Sequence, residues 1–291
     1  MKSVLLCILF VGNSFIVFCQ KQKPDKTLQK QIETLVTGFN GQVGIFVKNL
    51  RTNRIASINA DTIFPTASMV KIPILIGIMD KMNKGELNYN QSLSYKDSLL
   101  YAGVDILGSF KNNEQIDLSK VIMLMLTMSD NTASLWLQSL AGGGKRINEI
   151  LDGLGLKFTR VNSKTPGREE NRTQYGWGQT TPYEMATIFE KLYRDEIISD
   201  SASQRMLRLM GRDFWDEEAI SQIPSTIFVA AKSGAVDASR SETLLVMAPK
   251  NPYLFSIITK NNKDKTWGKS NEAWVLTRKL SNLLWNHFGK K

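Results

Sequence analysis

The sequence predicts a mixed α/β (α+β) protein: an antiparallel five-stranded sheet flanked by N- and C-terminal helices, with an all-α subdomain inserted into it. Three observations lead there. Two strand-like runs, Val43–Val47 and Arg54–Ile58, are joined by the polar turn Asn49–Asn53 and read as a hairpin. Three more, Ile227–Ala231, Glu242–Met247 and Tyr253–Thr259, follow Ile223-Pro224, with Pro249-Lys250-Asn251-Pro252 turning between the last two. Between these two groups, and at both ends of the chain, the apolar spacing is helical. Early and late strands around a helical block form one sheet most economically if the block is an insertion. With 291 residues, 42% hydrophobic and 22% charged, the chain can bury a sizeable core.

The elements follow in order. Met1-Lys2, the apolar run Val4–Val11 and the small residues Val17 and Cys19 read as a secretory signal peptide over residues 1–19, too short for a confident membrane span. Cleavage after Cys19 is expected, giving a periplasmic or secreted monomer; a lipoprotein acylated at Cys19 is the alternative. Residues 26–38 place Leu28, Ile32, Leu35 and Val36 on one helical stripe. Ile72–Met82 is an apolar helical run, and Leu118–Thr127 reads as a buried helix. Met185–Leu192 and Ala202–Met210 are amphipathic, and residues 271–288 close the chain with Ala273, Leu276, Leu280, Leu283 and Leu284 on one face. The expected division is an α/β subdomain, residues 20–62 plus 212–291, and an all-α subdomain, residues 63–211. Residues 162–179 are polar and aperiodic, and a loop this long in a compact domain points to function or disorder. Tyr175 and Trp177 favour a packed loop.

Composition narrows the chemistry. Both cysteines, Cys7 and Cys19, lie in the leader, and the single histidine, His287, sits in the last helix. No metal site, cofactor or disulfide is expected, and a serine nucleophile here would need a lysine or carboxylate as base in place of histidine. The net charge is +10, or +9 without the leader and its Lys2. The basic residues are scattered, with no stripe and no nucleic-acid motif, so a solvated basic surface is expected and nucleic acid is not an expected partner.

Three short motifs carry chemistry. Ser68 and Lys71, three residues apart where a helix begins, share one face: a hydroxyl beside an amine. Lys71 lies in the apolar setting Met69-Val70-Lys71-Ile72-Pro73, where desolvation lowers its pKa. Ser129-Asp130-Asn131 follows the buried helix; alone, it could be a helix cap. Lys232-Ser233-Gly234 ends the strand Ile227–Ala231, where lysine and serine can hold an anion and glycine admits a ligand to the backbone.

Together, in this order, Ser-x-x-Lys, Ser-Asp-Asn and Lys-Ser-Gly resemble the motif set of the class A β-lactamases and penicillin-binding proteins, with serine for the more usual threonine in the third. The resemblance extends to Thr127–Ala133, Thr180–Ala186 and Leu244–Ala248. It implies a small-molecule β-lactam as substrate and an acyl-enzyme on Ser68. Lys71 would be the base, Ser129 the proton donor to the departing nitrogen, and Asn131 a partner of the substrate's side-chain amide. Lys232 and Ser233, with Arg240 as helper, would bind the substrate carboxylate. The N–H groups of Ser68 and Ala235 would form the oxyanion hole.

The resemblance breaks in the loop at 162–179, which corresponds to the family's omega loop. Thr165 stands at the position of the family's catalytic glutamate, followed by the expected Pro166. Glu169 replaces the asparagine that helps hold the hydrolytic water, and Ser163 and Gly178 replace the arginine and aspartate that tie the loop's ends. Threonine cannot serve as general base at neutral pH. Either Glu169 (or Glu170) reaches the water from a new direction, or deacylation is slow and the protein is a penicillin-binding protein or D-alanyl-peptidase. An esterase of the same fold is a third possibility.

Overall fold

The computed structural model describes residues 22–101, 103 and 105–290; the expected leader lies outside the described residues. The chain opens with β1 (Lys23–Pro24) and α1 (Lys26–Val36), whose first turn is capped by the Asp25 carboxylate accepting from the Leu28 N–H at 3.1 Å. The hairpin follows as β2 (Gln42–Asn49) and β3 (Arg54–Ile58). After the short β4 (Phe64–Pro65), a 3₁₀ turn over Ala67–Val70 runs directly into α2 (Lys71–Asn83). Next come β5 (Ser92–Ser94), β6 (Gln115–Asp117), α3 (Leu118–Thr127), α4 (Asn131–Leu140) and α5 (Gly143–Gly153). The loop region contributes β7 (Arg160–Val161), α6 (Glu169–Tyr175) and β8 (Gly178–Thr180). Helices α7 (Pro182–Tyr193) and α8 (Asp200–Met210) lead to β9 (Val229–Val236), β10 (Ser239–Val246), β11 (Tyr253–Lys260) and α9 (Glu272–Leu284).

The main sheet has the order β1-β3-β2-β11-β10-β9. The early hairpin and the late strands thus share one antiparallel sheet through the β2–β11 pairing, in register from Tyr253↔Asn49 to Lys260↔Gln42. The sheet has six strands rather than five, because Lys23–Pro24 pairs in parallel with Arg54–Ile55. Two residues, one of them proline, carry no alternation for a sequence reading to detect.

Strand alternation sorts the sheet's side chains between two cores. Leu245, Leu254 and Ile258 pack with the helices of the central block, among them Ile74, Ile78, Val121, Leu137 and Phe189. Val47, Leu244, Val246 and Phe255 pack on the other face with Leu28 and Ile32 of α1 and Leu276, Leu280 and Leu284 of α9.

One strand boundary differs from expectation in a way that matters for the site. Strand β9 continues five residues past Ala231, its backbone paired from Val229↔Val246 to Val236↔Ser239. Lys232-Ser233-Gly234 therefore lies inside a strand at the edge of the sheet. The apolar signal stops at Ala231 because the rest of this strand faces a site instead of a core. Helix α5 is not among the expected elements: Ile147, Ile150 and Leu151 have helical spacing, but Gly143, Gly144 and Gly153 lower the local propensity.

Candidate active site

Ser68 sits in the 3₁₀ turn ahead of α2, half-buried at the junction of two cavities of about 580 and 440 Å³ that share Ser68, Asn131 and Ala235 as lining. The residue before it, Ala67, has φ 45°, and Ser129 has φ 59°. Non-glycine residues in this region cost about 1–3 kcal/mol each, a strain that tends to persist where surrounding structure fixes a functional geometry. Gly234 explains how β9 approaches so closely: a Cβ there would stand 2.7 Å from the Ser68 nitrogen and 2.7 Å from the Thr66 carbonyl oxygen.

The Lys71 amine is 99% buried and gathers the two serines. Its Nζ lies 3.0 Å from Ser68 Oγ, 2.9 Å from Ser129 Oγ, 2.7 Å from the Ser129 carbonyl oxygen and 3.1 Å from Asn131 Oδ1. No carboxylate is among these four partners. Burial first, and the positive charge of Lys232 second, push the Lys71 amine well below the ordinary lysine range; the Asp130 charge opposes them. A neutral amine has a lone pair that can take the Ser68 proton, so the arrangement supplies what a serine nucleophile lacks without histidine.

Asp130 is the brace of this assembly. Its Oδ1 accepts from the Ala133 N–H at 2.7 Å, capping α4, and its Oδ2 accepts from the N–H groups of Ile106 and Leu107 at 2.5 and 3.0 Å. This holds Ser129 and Asn131 at the end of a packed helix. Lys232 is fully buried, and its Nζ has no hydrogen-bond partner among the described residues. Burial lowers its pKa, against the charges of Asp213 and Glu242. Asp213, which no sequence motif marks, accepts from the Trp215 N–H at 3.1 Å and supplies negative charge beside Lys232. Glu242, paired across the ladder with Ser233, is buried, and that burial pushes its carboxyl up to about 8.

Ser68, Lys71, Ser129, Asn131, Ser233 and Ala235 are thus brought together, with Lys232 buried beside them. Arg240 and Glu169 are not. The Arg240 guanidinium donates to the carbonyl oxygens of Val236, Ser239 and Thr266 and lies 4.6 Å from the centre of the Trp267 ring; it lines neither cavity. Glu169 is exposed at the start of α6, where its carboxylate accepts from the Gly167 N–H at 3.1 Å, and it also lines neither cavity.

The loop itself is ordered by different bonds. Its ends are joined by the β7–β8 pairing, Arg160↔Gln179 and Val161↔Gly178. Arg168 donates from Nε to Asn162 Oδ1 at 2.9 Å and from an Nη to Gln179 Oε1 at 2.7 Å, tying the two ends across the neck. Thr165 is buried and turned into the protein: its hydroxyl donates to the Ser163 carbonyl at 2.9 Å. A Cβ on Gly144 would fall 1.7 Å from that hydroxyl, so a glycine at this position of α5 makes the space that Thr165 fills. Trp177 packs edge-on against Tyr101 at 4.9 Å, and both line the larger cavity. Among the described residues there is no group of three or more side chains able to hold a metal ion, and no helix long and apolar enough to cross a membrane.

Comparison with known proteins gives the family of the chain. The β-lactamase enzyme family model matches residues 27–288. β-Lactamase VEB-1 of Pseudomonas aeruginosa is 22% identical, covering 100% of this chain and 99% of its own. The extended-spectrum β-lactamase PER-1 of the same organism is 22% identical over 94% of this chain and 92% of its own. In three dimensions the chain is similar to PBP-A, with a TM-score of 0.82 and 25% identity over 93% of this chain and 98% of the other. A class A β-lactamase from Bacteroides cellulosilyticus has the same fold, with a TM-score of 0.81 at 18% identity, covering 93% and 100% of the two chains. The match spans nearly the whole described structure, and this chain belongs to the β-lactamase enzyme family.

Proposed function

We propose that the protein is a β-lactam hydrolase that works through an acyl-enzyme on Ser68 and whose slow step is release of that acyl group. The observation that carries the first half is the set of contacts made by Lys71. Its neutral amine takes the Ser68 proton while Oγ attacks the lactam carbonyl carbon. As the carbon–nitrogen bond breaks, the Ser129 hydroxyl gives its proton to the departing nitrogen and recovers one from Lys71, 2.9 Å away. The N–H groups of Ser68 and Ala235 receive the developing oxyanion, each such donor being worth about 3–4 kcal/mol. Lys232 and Ser233 take the substrate carboxylate, and Asn131 takes the side-chain amide.

The second half rests on the loop. Water attack on the acyl-enzyme needs a base, and general-base help is worth about 10²–10⁴-fold. Thr165 is bonded into the protein, and no carboxylate of residues 162–179 lines either cavity. Neither Glu169 nor Arg240 is assigned a part in the reaction; Lys71 alone serves the water. The same observation favours a second reading, a penicillin-binding protein acting on D-alanyl peptides. One of the structures similar to this chain is a PBP-A mutant, described as an acyl-enzyme complex with penicillin G.

The test mixes the protein with benzylpenicillin and with a D-alanyl-D-alanine peptide and follows intact mass and product together. A penicillin adduct that forms on Ser68, is absent from Ser68→Ala and decays to hydrolysed penicillin supports the hydrolase. Peptide turnover with a lasting penicillin adduct supports the second reading. No adduct with either compound contradicts both.

A further inference from the structure

The smaller cavity has a wall the acylation chemistry does not use. Beyond Ser129 and Ser233 it is lined by Trp215 and Trp267, both strongly exposed at 43% and 63%. Exposed tryptophans usually move freely, but these two are held. The Trp215 Nε1–H donates to the Met128 carbonyl at 3.2 Å, one residue before Ser129, and the edge of Phe214 stands 5.2 Å from the Trp215 ring. Trp267 lies 4.6 Å from the guanidinium carbon of Arg240, a residue 99% buried. Arg240 is locked by its three carbonyl partners, so it buttresses the indole from within. The nearby charges pair with each other: Lys269 Nζ lies 3.3 Å from Glu217, and Glu218 pairs with Arg278. Two indoles tethered by these contacts, on a rim whose charges pair and contiguous with Ser68, offer a stacking surface.

We propose that Trp215 and Trp267 form an aromatic clamp that selects β-lactams bearing a flat cationic ring on the side of the departing nitrogen, opposite the acylamino side chain. The side follows from the lining: Ser129, which faces the departing nitrogen, and Ser233, which faces the carboxylate, border this cavity, and Tyr101 and Trp177 border the other. A pyridinium ring stacked on indole gains both dispersion and cation–π attraction. This assignment rests on the acylation of Ser68 proposed above and adds to it the substrate class.

The test uses two cephalosporins with one shared acylamino side chain, carrying either pyridiniummethyl or acetoxymethyl at C3. The second-order rate of adduct formation is read by intact mass for the wild type, Trp267→Ala, Trp215→Ala and Trp267→Phe. The ratio of the two rates cancels general damage to the active site. Stacking on an exposed indole predicts that each alanine variant lowers the pyridinium:acetoxy ratio about tenfold. Trp267→Phe, which keeps a ring over Arg240, should lower it about threefold and stands in if Trp267→Ala does not fold. A ratio unchanged in all the variants overturns the clamp and leaves acylation intact. No adduct from either compound in the wild type overturns the acylation reading and the clamp with it.

Discussion

The acylating cluster and the loop at 162–179 face the same cavity and are built in opposite ways. Ser68, Lys71, Ser129 and Asn131 are fixed by helix starts, by the Asp130 brace and by the close approach of β9 at Gly234. There Lys71 Nζ gathers the hydroxyls of Ser68 and Ser129 and the Asn131 amide oxygen. The loop's polar groups bond within it and to the neighbouring α4: Arg168 closes the neck, Ser163 bonds Gln138, Thr165 bonds Ser163 and Glu169 bonds Gly167. The proposed reaction separates acylation from deacylation on that difference.

Four changes probe that separation. Lys71→Ala should lower the rate of adduct formation by about 10²–10⁴-fold, read by quenched-flow mass spectrometry. In the wild type the same rate should rise with pH and level off well below pH 10, since Lys71 must be neutral to accept the proton and its pKa is lowered. A rate that still climbs through pH 10 would contradict the assignment. Next in size, Thr165→Glu places a carboxylate at the position of the family's catalytic glutamate. It should speed adduct decay by about 10–100-fold with acylation unchanged within about threefold. Arg168→Ala should destabilise the fold by about 1–3 kcal/mol in urea denaturation, because it leaves Asn162 and Gln179 without their charged partner, while the acylation rate stays within about threefold. The smallest effect belongs to Glu169→Gln, which should leave adduct decay within about twofold; a tenfold slowing would restore Glu169 as base.

Much of this was legible in the chain. The five main strands and the terminal helices announce themselves by apolar periodicity, and the three motifs mark the nucleophile, its partners and the edge strand. The reach of β9 was hidden because Lys232–Val236 lines a site and lacks the alternation of a core strand. The brace by Asp130 and the charge of Asp213 were hidden because they depend on N–H groups and neighbours far away in sequence. The resemblance makes Arg240 a helper in binding the carboxylate, but only the fold shows its hydrogen bonds committed to carbonyls beneath Trp267. The threonine at the position of the family's catalytic glutamate, Thr165, was visible. Its burial against α5, which turns a substitution into a rebuilt loop, was not.

The account turns on acylation outrunning deacylation, and pre-steady-state turnover of benzylpenicillin by the wild-type protein measures it most directly. The expected trace is a burst of one β-lactam ring opened per Ser68, with the adduct filling the population, followed by a slow steady rate of hydrolysed penicillin equal to the decay of that adduct. Rapid linear turnover without a burst and without an accumulated adduct would mean that a base for water is in place, and would contradict the account.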